Sequence, residues 1–209
     1  GLLAGDTEPG ENGIFVTDGS ATVSIRESAE GFIAQNITFV NSYNTYAEYE
    51  VAKGLTKDTQ GVAALVQADK AMFGWCSFSG YQDTLYAQVG RQYYQECYIE
   101  GHTDFIFGYD ATAYFYDCTI KSIGAGSDQN NGGYVVATKG NTSTAIEFGY
   151  VFDDCDFVAE ENTVMPGSIS LGRTWDSDMT MMVMNSSISG AYSTEAFGTI
   201  TTDDPNTEA

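Results

Sequence analysis

Asp83 and Asp104 stand 21 residues apart, the interval that also separates Cys76 from Cys97 and Cys97 from Cys118, so each aspartate follows a cysteine by seven residues. Two residue types keeping one interval point to a repeating unit that superimposes equivalent positions. Carboxylates brought within about one strand spacing (~4.8 Å) cannot both ionise cheaply, because the second negative charge is repelled by the first. One stays protonated while the other is anionic, which provides an acid and a base or nucleophile at a single pH, although the titration belongs to the pair. Gln82 precedes Asp83, and Gln60 lies 22 residues before Gln82, nearly one repeat. Side-chain amides held beside such a pair can donate hydrogen bonds to an oxyanion. Arg173, in SLGRTW, is a candidate to hold the ionised aspartate charged and aimed.

The element that must position these groups is a solenoid, because a period in the low twenties winds the chain once and returns it to the same side. The segments AMFGWCSF, QYYQECYI, YFYDCTI and YVFDDCDF surround the four cysteines, with weaker counterparts NITF at 36–39 and NSSI at 185–188. Apolar residues recur at every second position there, and aromatic and β-branched types abound, which is the pattern of a strand with one buried face. The spacing therefore predicts a parallel β-helix with Asp83 and Asp104 as vertical neighbours. Strict alternation would put Asp83 on the inward face with Leu85, and Asp104 there with Ile106. An ionised carboxylate beside those side chains is costly, so a turn or bulge is expected at each aspartate.

Along the chain, residues 1–13 read as a loop and 14–40 as about one coil. NSYNTYAEYEVAKGLTKDT, 41–59, has tyrosines and charges without strand period and reads as an excursion bordering the site. Residues 60–120 form the clearest solenoid, 121–133 a loop, and YVVATKG a strand; coils containing Cys155, Arg173 and MTMMVMNSSISG follow. The methionines of that last coil are expected in the core. The tail from Tyr192 is expected to be loose or incomplete.

With 29 acidic against 8 basic residues the net charge is −21, which disfavours nucleic acid and anionic membrane surfaces as partners. No run of 18 apolar residues is present to span a membrane. All four cysteines share one slot of the coil, so a buried ladder is the default reading, while stacking would also bring Cys97 and Cys118 within disulfide range. One histidine and no CxxC leave no ligand set for a metal. Sequons occur at Asn36, Asn141 and Asn185; two of them are expected within coil strands, where glycans fit poorly.

GYQDTLY, GHTDFIFG, LGRTW and TQGVAAL resemble the four signature segments of the pectin methylesterases, in matching order and with similar spacing, and FIAQNITFVN resembles the family just upstream. The resemblance covers roughly residues 30 to 190. It implies an all-β, right-handed parallel β-helix forming a single catalytic domain over 1–209, trimmed at both ends relative to the family. It also implies an extracellular, secreted monomer that demethylates polygalacturonate methyl esters in pectin without metal or cofactor. Carried over by motif position, Asp104 is the nucleophile and Asp83 protonates the departing methanol, then activates water. Gln60 and Gln82 form the oxyanion hole and Arg173 orients Asp104. Phe107, Trp175 and Tyr86 fall where the family lines its sugar-binding cleft.

Thr174 stands where the family usually has Pro, His102 and Thr103 precede the second aspartate, and Gly61 and Ala64 depart from the glutamine segment. His102 reads as a cleft-edge or structural residue, since the family's chemistry uses no histidine. Two other readings compete. A lyase on the same polymer would want a calcium-binding carboxylate cluster with a Lys or Arg base, and a glycosidase carboxylates set to cleave an acetal. A binding-only β-helix module would not need both aspartates, both glutamines and the arginine. The negative field is expected to favour methylated, neutral stretches of pectin over demethylated ones.

Overall fold

In a computed structural model, described over residues 17–54, 59–125, 133–139, 149–175 and 179–198, the chain winds through three parallel sheets. The first sheet is built from β1 (Val23–Ile25), β4 (Ala64–Val66), β7 (Leu85–Ala87), β10 (Thr103–Gly108), β13 (Tyr134–Lys139), β16 (Ser170–Trp175) and β19 (Phe197–Gly198). The second contains β2 (Ile33–Gln35), β5 (Ala71–Gly74), β8 (Val89–Gln95), β11 (Asp110–Tyr116), β14 (Tyr150–Asp153) and β17 (Met181–Met184). The third contains β3 (Thr38–Val40), β6 (Ser77–Ser79), β9 (Tyr98–Gly101), β12 (Thr119–Ser122), β15 (Asp156–Ala159) and β18 (Ser187–Ile188). Each coil contributes one strand to each sheet in turn, so the architecture is the parallel β-helix that the repeat predicts.

One residue makes the corner between the second and third sheets. Asn36, Trp75, Glu96, Asp117, Asp154 and Asn185 all occupy the left-handed region, with φ between 50° and 56°. In four coils the residue after the corner turns inward, and there it is a cysteine, buried and free: Cys76, Cys97, Cys118 and Cys155. The ladder is thus realised without the Cys97–Cys118 disulfide. Instead the Cys97 amide donates to Cys118 Sγ at 3.4 Å. Beside the cysteines runs an aromatic column, Phe73, Tyr94, Phe115 and Phe152, with successive centroids 5.0, 4.6 and 4.5 Å apart and nearly parallel rings. Each such contact contributes about 0.5–1.5 kcal/mol beyond area burial. Coil-to-coil register is therefore set by side chains repeating at one slot as well as by backbone bonds.

One local expectation gains detail and three need correction. The excursion after β3 contains a helix, α1 (Tyr46–Lys53), capped by Thr45, whose hydroxyl accepts the Glu48 amide and donates to the Glu48 carboxylate. The start of the tail, 192–198, is built into the coil as far as β19, with Tyr192 buried and its hydroxyl donating to Val158 O, while 199–209 lie outside the described residues. In β17, Met182 and Met184 face outward, while Met181 and Val183 pack on the core. Asn36 and Asn185 lie at exposed corners rather than within strands, and Asn141 lies outside the described residues. Among the described residues no helix is long and apolar enough to cross a membrane.

Candidate active site

The first sheet brings the chemistry-bearing residues to one face. In the parallel ladder Leu85 stands beside Ile106 and Tyr86 beside Phe107, while Gln82 bridges Thr103. Asp83 and Asp104, which lie between these pairs, occupy equivalent places on neighbouring coils. Both have left-handed backbone, φ 64° and 50°. This turn resolves the conflict with alternation, for it lets Leu85, Phe105 and Ile106 enter the core while both aspartates stay on the outer face. On β10 the turn coincides with a register shift between Thr103 and Ile106, the expected bulge. Asp83 N–H donates to Thr103 O at 3.1 Å, fixing one aspartate's backbone to the other's strand.

Arg173 distinguishes the two acids. Its Nε donates to Asp104 Oδ1 at 2.9 Å and its Nη2 to Oδ2 at 2.5 Å, a bidentate fork that favours an anionic Asp104. Arg173 is in register with Ala137 on β13, whose small side chain separates it from Phe107 on β10. The guanidinium carbon also lies 4.5 Å from the Tyr134 ring centroid. Asp83 is only 8% exposed. Burial holds its carboxyl well above the usual carboxylate range; the charge of Asp104 adds to the rise, and Arg173 opposes it. The face therefore carries one acid that favours its proton beside one paired with a cation.

The remaining sequence candidates gather around this pair. Gln82 and Gln60 lie on adjacent coils, joined by Gly61 N–H donating to Gln82 O at 3.0 Å. Gln82 Oε1 accepts the Thr59 hydroxyl at 3.2 Å, which leaves its amide N–H groups to other acceptors. Gln60 Oε1 is buried without a hydrogen-bond partner. Tyr86 and Phe107 stack at 4.1 Å and are themselves buried, whereas Trp175, 6.1 Å from Phe107, is half-buried at the edge of this outer cluster. His102 is buried two residues before Asp104. It stacks flat on Tyr81 at 4.9 Å, and its Nδ1 is 2.8 Å from the Thr103 hydroxyl. Tyr49 of α1 covers the other end of that stack at 4.4 Å from Tyr81, so the excursion buttresses the turns leading to both aspartates. Tyr134, Thr59 and this stack were not anticipated from the sequence.

A family model described as Pectinesterase matches residues 7–205. The chain belongs to the pectinesterase family. It is 37% identical over 183 residues to a probable pectinesterase A of Neosartorya fischeri, covering 88% of this chain and 49% of that protein. Pectinesterase A of Emericella nidulans is 34% identical over 169 residues, 81% of this chain and 46% of that protein. The chain thus spans about half the length of the curated pectinesterases it matches. Among solved structures, pectin methylesterase from Erwinia chrysanthemi superimposes with a TM-score of 0.75 at 30% identity, over 94% of this chain and 60% of that one. A pectin methylesterase in complex with a hexasaccharide gives the same values. The enzyme from carrot gives 0.73 at 31% identity, over 88% and 54%. These pectinesterase structures are β-helices, in agreement with the three-sheet coil of this family member.

Proposed function

We propose that the chain hydrolyses methyl esters of galacturonate in pectin, releasing methanol and leaving a carboxylate on the polymer. The observation that carries the reading is the difference between the two stacked acids: Asp104 is forked by Arg173 and Asp83 is buried with a raised pKa. In the first step an Asp104 oxygen attacks the ester carbonyl, and the oxyanion is met by amide N–H groups of Gln60 and Gln82. The carbonyl–methoxy bond breaks, Asp83 gives its proton to the methoxy oxygen, and methanol leaves an Asp104 acyl anhydride. In the second step the Asp83 carboxylate takes a proton from water, whose oxygen attacks the acyl carbon. Asp104 departs as carboxylate, and both acids regain their starting states. The chemistry needs no metal or cofactor, and every proposed catalytic group comes from one chain, so a monomer suffices.

The substrate class is supported by the names of the relatives and by the hexasaccharide held by a structural neighbour. A partly exposed Trp175 beside Phe107 offers an apolar edge for a sugar ring, with Tyr86 as backing. Pectin lies in the cell wall, so the chain would act outside the cell that makes it. Methanol release from methylated pectin tests the reading against Asp104→Asn, which should lose at least about a thousandfold in kcat. Undiminished turnover by that variant refutes the proposed nucleophile. Calcium-dependent formation of unsaturated product would instead indicate a lyase, and binding without turnover a module that only recognises the polymer.

A further inference from the structure

We infer that Tyr134 is a positioning residue for this reaction, holding Arg173 in place during the stage when Asp104 is esterified and has no charge to offer it. The inference rests on the proposed two-step mechanism. The fork between Arg173 and Asp104 secures the guanidinium only while Asp104 is a carboxylate; once acylated, Asp104 becomes a neutral acceptor and most of that attraction is lost. At that moment Asp83 has given up its proton and is the nearby anion. Arg173 is close enough for its charge to act on the Asp83 carboxyl. A guanidinium released from Asp104 would be drawn to Asp83, lowering its basicity just when it must take a proton from water.

Tyr134 is placed to prevent this. Its ring lies 4.5 Å from the guanidinium carbon, within the range where a cation is attracted to the face of an aromatic ring, and that attraction does not depend on the charge of Asp104. Its backbone is tied to the strand carrying the nucleophile: Tyr134 is in register with Thr103, and its N–H donates to His102 O at 3.0 Å. The preceding residue makes this approach possible. A Cβ at Gly133 would lie 1.7 Å from His102 O, so only glycine lets β13 come so close at this point. On its other side Tyr134 is in register with Ser170 of β16, three residues before Arg173. One residue therefore references the cation to the nucleophile's strand through backbone bonds, and it does so in both charge states of Asp104.

The test compares Tyr134→Leu, which removes the ring face, with Tyr134→Phe, which keeps it, by rapid-quench measurement of methanol and steady-state kinetics on methylated pectin. Methanol leaves in the first step, so slowed hydrolysis of the anhydride shows as a larger methanol burst than in the wild type. For Tyr134→Leu, kcat should fall about 3- to 30-fold, the range expected for a partly desolvated cation–ring contact. KM should fall with it, leaving kcat/KM nearly unchanged, and Tyr134→Phe should stay within about twofold of wild type. Tyr134→Met replaces the leucine variant if the latter does not fold by circular dichroism. A leucine or methionine variant with unchanged burst and kcat overturns the inference. So does a loss in kcat/KM that Tyr134→Phe shares, which would mark a structural role. Full activity of Asp104→Asn would overturn the mechanism itself, a result the Tyr134 variants cannot mimic.

Discussion

Replacing Asp83 with asparagine should abolish the acid and, at neutral pH, make the protein more stable. The unfolded carboxyl titrates near 3.8, whereas in the fold burial and the neighbouring Asp104 charge hold it well above that value. Between those two values the folded protein binds a proton that the unfolded chain has released. Stability from this group is therefore complete below about pH 3.8 and is lost progressively as pH rises through the folded value. The loss amounts to about 1.4 kcal/mol for each pH unit of separation. Solvent screening does not greatly reduce it, because Asp83 is 8% exposed. Asparagine has nearly the same shape and never ionises, so the variant escapes the penalty. For a chain of 209 residues, about 1 kcal/mol corresponds to roughly 2–4 °C in Tm. Thermal melts of the two proteins from pH 4 to pH 8 should give a gap that widens by about 3–5 °C per unit until the folded pKa is passed, then levels off. Methanol release should be lost at every pH. Parallel melting curves, or an asparagine variant that is the less stable at pH 7, would refute the assignment of Asp83 as the buried, protonated partner.

Arg173→Lys keeps the charge but loses both the fork to Asp104 and the flat face on Tyr134, so kcat/KM should fall about 10- to 150-fold, equivalent to about 1.5–3 kcal/mol for a charged hydrogen bond. The acid limb of its pH profile should move upward, because a less firmly paired Asp104 is easier to protonate; an unmoved limb would show that the fork does not set that ionisation. The free, buried cysteine ladder predicts that a thiol reagent titrates all four cysteines after unfolding without reductant and reacts slowly before it, whereas a Cys97–Cys118 bridge would leave only two reactive.

Where sequence and structure agree, the agreement comes from repetition. The 21-residue interval survives as register between Leu85 and Ile106 and between Tyr94 and Phe115, so the vertical placement of Asp83 and Asp104 followed from counting. The clash between carboxylates and the inward face was also legible, and the fold answers it with left-handed backbone at both positions. Residues outside the even spacing were harder to place. Ile106 is matched to Val136, 30 residues on, and Val136 to Gly172, 36 residues on, because insertions lie between those coils. Arg173 was found only through its motif, and Tyr134, with no motif, was not found. The helix in the excursion does leave a signal, since TYAE has the spacing of a capping box, with Thr45 as the cap and Glu48 three residues on.

The same distinction bears on what α1 does for the site. A solenoid wall fixes positions along and across its strands to fractions of a strand spacing, yet it leaves outer-face side chains without lateral support. Here that support comes from segments that interrupt the repeat. Tyr49 of α1 closes the Tyr81–His102 stack, and both of those residues lie two places before a catalytic aspartate candidate. Thr59, where the excursion rejoins the coil, holds Gln82. Just after the insertion between β12 and β13 come Gly133 and Tyr134, which carry the contact to Arg173. The repeat thus supplies the spacing of the acids, and the insertions supply their orientation. Changes in activity without loss of the fold should accordingly concentrate at Thr59, Tyr81 and Tyr134, while substitutions in the aromatic column from Phe73 to Phe152 should act on stability first.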